Sequence, residues 1–364
     1  MENQRVNTSD IEVSPALQNL GTQSALLKTY ALSLLKQPTV AIKAMPNLEF
    51  YQEKAKQRAY YWLDTVQPSF IAASQQSILF QQKFLNYYNK LIELSSKIGT
   101  DDQAKKDFVM GITKLHESLN GYQNQIENMS SDLQKFQQHF NVDAENFMNA
   151  AAKATTSLAN KNGEIEQLTK QIEAINGDIN FQIGVIVGGT IGMVAGIGAI
   201  VFGTIVLFTT TVATGGAGAA VVVFALGSIA PALGGIVGGT GGLIGGGVTI
   251  GFAVKKLEEK RKELQEITLK LTNSKADVAV LTLLVGKMNA FKDNVTKGKE
   301  SLEGFDDNWF ELKNNFTELQ QYVNKINPDS SVLQNNLAQI KKRVDDLATQ
   351  AKQQEKVITD ISYQ

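Results

Sequence analysis

The chain has 364 residues, a net charge of −1 and no cysteine. The balanced charge gives no broad electrostatic attraction to nucleic acid or acidic membranes, and the lack of cysteine excludes disulfides, thiol catalysis and thiolate metal sites. The first ten residues are polar, with no apolar stretch behind a basic start, so we do not expect a cleavable signal peptide in this chain.

Most of the chain has the pattern of long helices. Apolar residues recur at alternating steps of three and four, and this mean period of about 3.5 is typical of coiled coils. Pro38 and Pro46 bracket a connector, Pro68 is expected to kink a helix, and Asn327-Pro328 is typical of a turn. We predict helices at about 14–37, 47–98, 101–180, 253–326 and 330–361, with an interruption left open at Asn162-Gly163.

The apolar rows of these helices predict the core. The rows include Leu115, Leu119, Tyr122, Ile126, Met129, Leu133, Phe136 and Phe140; Ile165, Leu168, Ile172, Ile175 and Ile179; Leu257, Leu264, Leu271, Val278 and Val285; and Leu333, Leu337, Ile340, Val344 and Leu347. A helix of about 80 residues spans roughly 120 Å, too long for a compact globule. We therefore predict an all-α protein with an elongated antiparallel five-helix bundle as its tail.

One segment differs sharply from the rest. Ile179–Val254, 76 residues, contains no Asp, Glu, Lys, Arg or His and holds 21 of the 30 glycines. Two stretches within it, Val185–Phe208 and Ala219–Phe252, are long enough as helices to cross a hydrocarbon core of about 30 Å. The sequence thus predicts a tail domain of residues 1–178 and 255–364 and a hydrophobic head, 179–254, forming a membrane-inserting hairpin between the two longest helices.

Glycine spacing supports the membrane interpretation. Glycines recur every four residues in both stretches, and small residues at this spacing let helices approach closely in lipid. The predicted membrane-inserting residues are Val185, Gly188, Gly192, Gly196, Phe202, Leu207, Phe208, Val221, Phe224, Pro231, Gly234, Gly238, Gly242, Gly246 and Phe252. The predicted hairpin turn contains Thr209, Thr210, Thr211, Gly215 and Gly216.

The form of the head before insertion stays open. The β-branched runs Thr204-Ile205-Val206 and Val221-Val222-Val223 leave room for a short β-hairpin in the soluble head. Neither stretch carries a polar stripe, and an apolar hairpin can anchor in lipid but cannot line a wide aqueous lumen alone. We therefore hypothesise that a partner with an amphipathic hairpin supplies the lumen.

Catalytic chemistry is not indicated. His116 and His139 lie about six helical turns apart and cannot share a metal within one helix. No nucleophile elbow or phosphate-binding loop is present in the sequence. We expect no catalytic residues, no metal and no other cofactor, so the protein is not predicted to be an enzyme.

The layout resembles the cytolysin A type of α-pore-forming toxins, and within it the tripartite systems haemolysin BL and the non-haemolytic enterotoxin. The similar motifs are Ser24–Tyr30, Gln37-Pro38, Met45–Leu48 and Trp62-Leu63 with the following Pro68. The apolar double span resembles the B-type component. The resemblance implies secretion as a soluble protein, conversion to a membrane-inserted form on a target-cell bilayer, an oligomeric lytic pore, and two sister components.

Two other functions fit the same residues. The chain could be a self-sufficient or binary cytolysin, which would not require sister components. It could also be a coiled-coil structural protein anchored permanently in the membrane of its own cell, which would not purify without detergent.

Overall fold

A computed structural model describes most of the chain as helix. The described residues are 16–158, 163–191, 205–212, 219–226, 246–269, 271, 273–324 and 328–360. The helices are α1 (Ala16–Lys36), α2 (Leu48–Tyr61), α3 (Gln67–Ser95), α4 (Asp102–Leu158), α5 (Glu164–Ile191), α6 (Gly246–Thr268), α7 (Asn273–Val323) and α8 (Ser330–Asp360). Strands β1 (Ile205–Val212) and β2 (Ala219–Leu226) form one antiparallel pair. The all-α bundle prediction is confirmed for the helical part of the chain.

Local chemistry explains several helix boundaries. A π-helical turn, Trp62–Val66, joins α2 to α3 just before Pro68. The proline lacks an N–H and its ring crowds the carbonyl four residues earlier, so a wider turn at this point relieves the clash. Asp101 caps α4, accepting hydrogen bonds from the backbone N–H groups of Gln103 and Ala104 at 2.9 and 3.2 Å.

Two interruptions divide the longest predicted helices. Helix α4 ends at Leu158 and α5 begins at Glu164, after Gly163 with a φ of +69° that suits glycine. The interruption left open at Asn162-Gly163 is thus present. A second interruption between Thr268 and Asn273 was not predicted, because the seven-residue spacing of leucines continues through it.

The chain forms two compact units. The first contains residues up to 20, 69–132 and 299–356, and the second contains 21–68, 133–298 and 357–364. The described residues of the 179–254 segment belong to the second unit, and the predicted tail and head boundaries stay a prediction.

The first unit is an antiparallel bundle. Thr113 accepts a hydrogen bond from Gln320 at 2.9 Å, and His116 contacts the Thr317 hydroxyl at 3.2 Å, which fixes α4 antiparallel to α7. Aromatic rings fill its core; they are Phe80, Phe84, Tyr122, Trp309 and Phe316. His116 therefore takes part in the contact between α4 and α7.

The second unit is built around α1, α4, α5, α6 and α7. Phe136, Phe140 and Phe291 form its aromatic core, with ring centroids 4.8 to 5.9 Å apart. The connector before α2 is held by Gln52, whose side chain bonds both the N–H and the carbonyl of Val40, at 3.0 and 2.8 Å. Nearly all predicted seam residues are buried; only Tyr122, Leu271 and Val285 keep partial exposure.

Candidate membrane-inserting site

The uncharged segment has mixed secondary structure. Helix α5 enters it and ends at Ile191, α6 begins at Gly246 and leaves it, and the β1–β2 pair lies between them in sequence. None of the helices among the described residues is long and apolar enough to cross a membrane. Helix α5 carries its apolar part only in its last turns, and α6 only in its first turns.

The β-pair corrects part of the sequence prediction. Its register pairs Ile205 with Leu226 and Val212 with Ala219. Thr209, Thr210 and Thr211, predicted to form the hairpin turn, lie inside β1 opposite Val222, Val221 and Ala220. β-branched side chains favour extended backbone, which explains why the strand continues through the threonines. The ends of the two predicted helical stretches, residues 205–208 and 219–226, are likewise strand in this structure.

The other predicted membrane-inserting residues divide into two groups. Those in the structure are Val185 and Gly188 in α5, Leu207 and Phe208 in β1, Val221 and Phe224 in β2, and Gly246 and Phe252 in α6. Those outside the described residues are Gly192, Gly196, Phe202, Pro231, Gly234, Gly238 and Gly242; the predicted turn residues Gly215 and Gly216 also lie outside them. The insertion of both groups into a membrane remains a prediction.

Helices α5 and α6 pack against each other as the two arms that carry the segment. The two helices contact each other, and their buried apolar side chains include Ile175, Ile179, Ile183, Ile186, Ala253, Leu257 and Leu264. Lys260 Nζ of α6 lies 3.1 Å from Asp178 Oδ2 of α5. A second ion pair joins Glu164, at the start of α5, to Lys275 near the start of α7, at 2.8 Å. Together the two ion pairs show that α6, the helix that follows the segment, runs antiparallel to α5.

Helix α5 also contacts α1 and α7. The Tyr30 hydroxyl donates to Asn180 Oδ1 at 2.8 Å. Burial and the nearby Asp293 carboxylate raise the pKa of Tyr30. The Asn176 side chain lies so close to Gly286 that a Cβ at this position would overlap its amide. Away from this contact, α1, α5 and α7 enclose a groove of about 620 Å³. Helix α5 is therefore less closely packed against α1 and α7 than against α6.

A buried lysine lies in this region of the second unit. Lys287, in α7, is 8% exposed and its Nζ donates to Gln37 Oε1 at 3.1 Å. Burial lowers the pKa of Lys287 to about 7, and no carboxylate pairs with it among the described residues. Lys287 was not predicted to be a core residue, although its spacing from Leu284 and Phe291 places it on the apolar face of α7.

This lysine makes stability depend on pH. The unfolded chain keeps the Lys287 proton up to a pKa of about 10.4, whereas the folded protein releases it near 7. Between these values the unfolded state binds more protons, so its contribution to stability rises with pH, by up to about 1.4 kcal/mol per pH unit. We expect Lys287→Met to lose this rise. Urea unfolding at neutral and alkaline pH measures it.

Exposed Lys153→Met is the matched control, and it should keep the wild-type dependence on pH. An identical pH dependence in Lys287→Met and wild type would show that Lys287 stays protonated in the folded protein.

Comparison with known proteins agrees with this architecture. Residues 8–182 match the family model described as Bacillus haemolytic enterotoxin (HBL). The fold is similar to the Bacillus cereus HblL1 toxin component, at 22% identity over 97% of both chains with a TM-score of 0.77. No curated protein matches the chain.

Two further solved structures share the fold. Soluble SmhA of the Serratia marcescens tripartite α-pore-forming toxin is 14% identical over 97% of both chains, with a TM-score of 0.74. Soluble AhlB of the Aeromonas hydrophila tripartite toxin is 18% identical over 97% of this chain and 95% of that one, with a TM-score of 0.64. Residues 8–182 therefore resemble the Bacillus haemolytic enterotoxin (HBL) family, and the fold of the chain is similar to that of these solved toxin components.

Proposed function

We propose that this chain is the membrane-spanning component of a multi-part pore-forming toxin, and not an enzyme. The observation that carries the proposal is the 76-residue uncharged segment held between the antiparallel arms α5 and α6. HblL1, SmhA and AhlB are named as toxin components, the last two of tripartite systems, which supports action with sister components and an oligomeric pore. The choice of the membrane-spanning component depends on the uncharged segment and not on fold likeness.

The head must change its structure to enter lipid. Each strand has eight residues, about 27 Å at 3.3–3.4 Å per residue, against a hydrocarbon core of about 30 Å. A two-stranded ribbon also has two open edges, whose N–H and C=O groups would lack partners in hydrocarbon. A helical hairpin satisfies these groups within each span. The inserted head is therefore a helical hairpin, and the β-pair belongs to the form before insertion.

The proposed route begins with secretion as a soluble protein. On the target-cell bilayer the head separates from the surrounding helices, converts to helices and inserts, and burial of apolar surface in lipid drives this change. Sister components with amphipathic hairpins then complete the aqueous lumen, because the uncharged segment of this chain has no polar stripe.

Lysis by purified components tests the proposal. We expect the chain alone to bind phosphatidylcholine vesicles and erythrocytes without releasing large solutes, and to lyse them when its sister components are added. Full lysis by the chain alone would instead identify a self-sufficient cytolysin. Absence of membrane association under either condition would contradict the proposal.

A further inference from the structure

Two exposed phenylalanines lie near the two ends of the uncharged segment. Phe181 is 67% exposed and Phe252 is 62% exposed, the largest exposed fractions among the large apolar residues whose side chains the structure describes. A single exposed apolar residue is common on protein surfaces. These two, however, lie on the two arms just inside the ends of the segment, each three residues from the nearest charged residue, Asp178 or Lys255.

The ion pair between the arms sets their relative level. Asp178 on α5 and Lys260 on α6 are 3.1 Å apart and therefore lie at one height along the pair of helices. At 1.5 Å per residue, Phe181 is about 5 Å beyond this level toward the segment, and Phe252 is about 12 Å beyond it. The two rings thus fall in a layer about 7 Å deep. The polar interface on each side of a bilayer is about 5–8 Å thick.

Basic side chains occupy the same layer. Lys256 Nζ lies 5.7 Å from the centroid of the Phe252 ring. Lys255 is exposed and has no ion-pair partner among the described residues. Both are about 6–8 Å beyond the Asp178–Lys260 level. Lysine at such a position can place its stem against acyl chains and its ammonium group among lipid phosphates.

We propose that Phe181, Phe252, Lys255 and Lys256 form a lipid-interface collar that rests in the headgroup layer of the target bilayer and sets how far the chain enters. This inference rests on the proposed function, in which the 179–254 segment crosses the hydrocarbon core. Aromatic and aliphatic side chains backed by lysine hold amphipathic helices about 5–10 Å inside the headgroup boundary, which matches the depth of this layer. The Asp178–Lys260 pair then stays in water.

Site-specific labelling tests the depth of the collar. Because the chain has no cysteine, Phe181→Cys, Phe252→Cys and Val221→Cys variants each carry one environment-sensitive fluorophore. On phosphatidylcholine vesicles with and without phosphatidylserine, quenchers fixed at known acyl-chain depths report the position of each label. We expect labels at 181 and 252 at the headgroup level and the label at 221 in the hydrocarbon. A label at Phe310, which is 54% exposed on α7, should stay in water.

The labels separate failure of the inference from failure of the proposed function. Labels at 181 and 252 that stay in water while the one at 221 enters lipid would overturn the collar and leave insertion intact. Labels at 181 and 252 in the middle of the bilayer would also overturn it. A label at 221 that stays in water would overturn insertion, and the collar with it.

Vesicle affinity provides a second measurement. Phe181→Ala and Phe252→Ala should each weaken vesicle binding about tenfold, because each removes an aromatic ring from the lipid interface. Phe310→Ala is the matched control, since it removes a ring that is also more than half exposed but lies outside the collar. Equal affinities of all three variants would overturn the collar.

Discussion

Oxidation of a Phe208→Cys, Val223→Cys double variant is expected to abolish lysis, and reduction is expected to restore it. The two residues are register partners across β1 and β2. Cα atoms of antiparallel partners lie about 4.5–5.5 Å apart, within the range that a disulfide bridges. The bond would be the only disulfide in the chain, because the sequence has no cysteine.

The expected loss follows from the conversion that insertion requires. Two helices of a hairpin diverge from the strand register, so residues 208 and 223 cannot stay paired once each lies in its own span. The locked protein should therefore bind membranes weakly and release no dye or haemoglobin with its sister components.

Each single-cysteine variant, treated with the same oxidant, is the control and should lyse normally. Full lysis by the double variant with its disulfide intact would contradict the conversion of strands to helices. It would then follow that the β-pair stays folded during pore formation.

Replacing Phe291 by alanine is expected to lower the free energy of unfolding by about 3–5 kcal/mol. The Phe291 ring is fully buried and meets the edge of Phe140 at 4.8 Å and that of Phe136 at 5.9 Å. Its removal leaves a cavity between α4 and α7 and deletes two favourable edge-to-face contacts. Urea unfolding followed by circular dichroism measures the change.

Phe310→Ala again provides the matched control, because this ring lies on the same helix but is 54% exposed. Its free energy of unfolding should change by less than about 0.5 kcal/mol. Similar unfolding midpoints for the two variants would contradict the packing of α4 against α7 around Phe291.

The helical part of the fold could be predicted because its signal is repeated many times. Seam residues such as Leu115, Phe140 and Leu264 are buried where the 3.5-residue period places them. The same signal hid the interruption after Thr268, since Leu264, Leu271 and Val278 keep their spacing across it. The spacing of apolar residues therefore predicts which face of a helix is buried more reliably than it predicts where the helix is interrupted.

The uncharged segment was predictable in composition but not in conformation. The lack of charge over 76 residues indicates a segment that enters lipid, whatever its backbone conformation. Glycine disfavours helix in water, and runs such as Val221-Val222-Val223 favour strand, so the form before insertion depends on its surroundings. Phe181 was not singled out, although its position two residues after Ile179 places it off the apolar row of α5.

The two helix interruptions have a mechanical consequence. The Glu164–Lys275 ion pair places the start of α5 level with the start of α7, so the break at Gly163 and the break after Thr268 lie side by side. Among the described residues no helix continues through this level on either arm, and the exposed ion pair that spans it is worth at most about 1 kcal/mol. The arms, about 42 and 35 Å long, can therefore pivot together as one lever. Side-chain packing opposes this rotation of the arms, and the rotation does not require helical backbone hydrogen bonds to break.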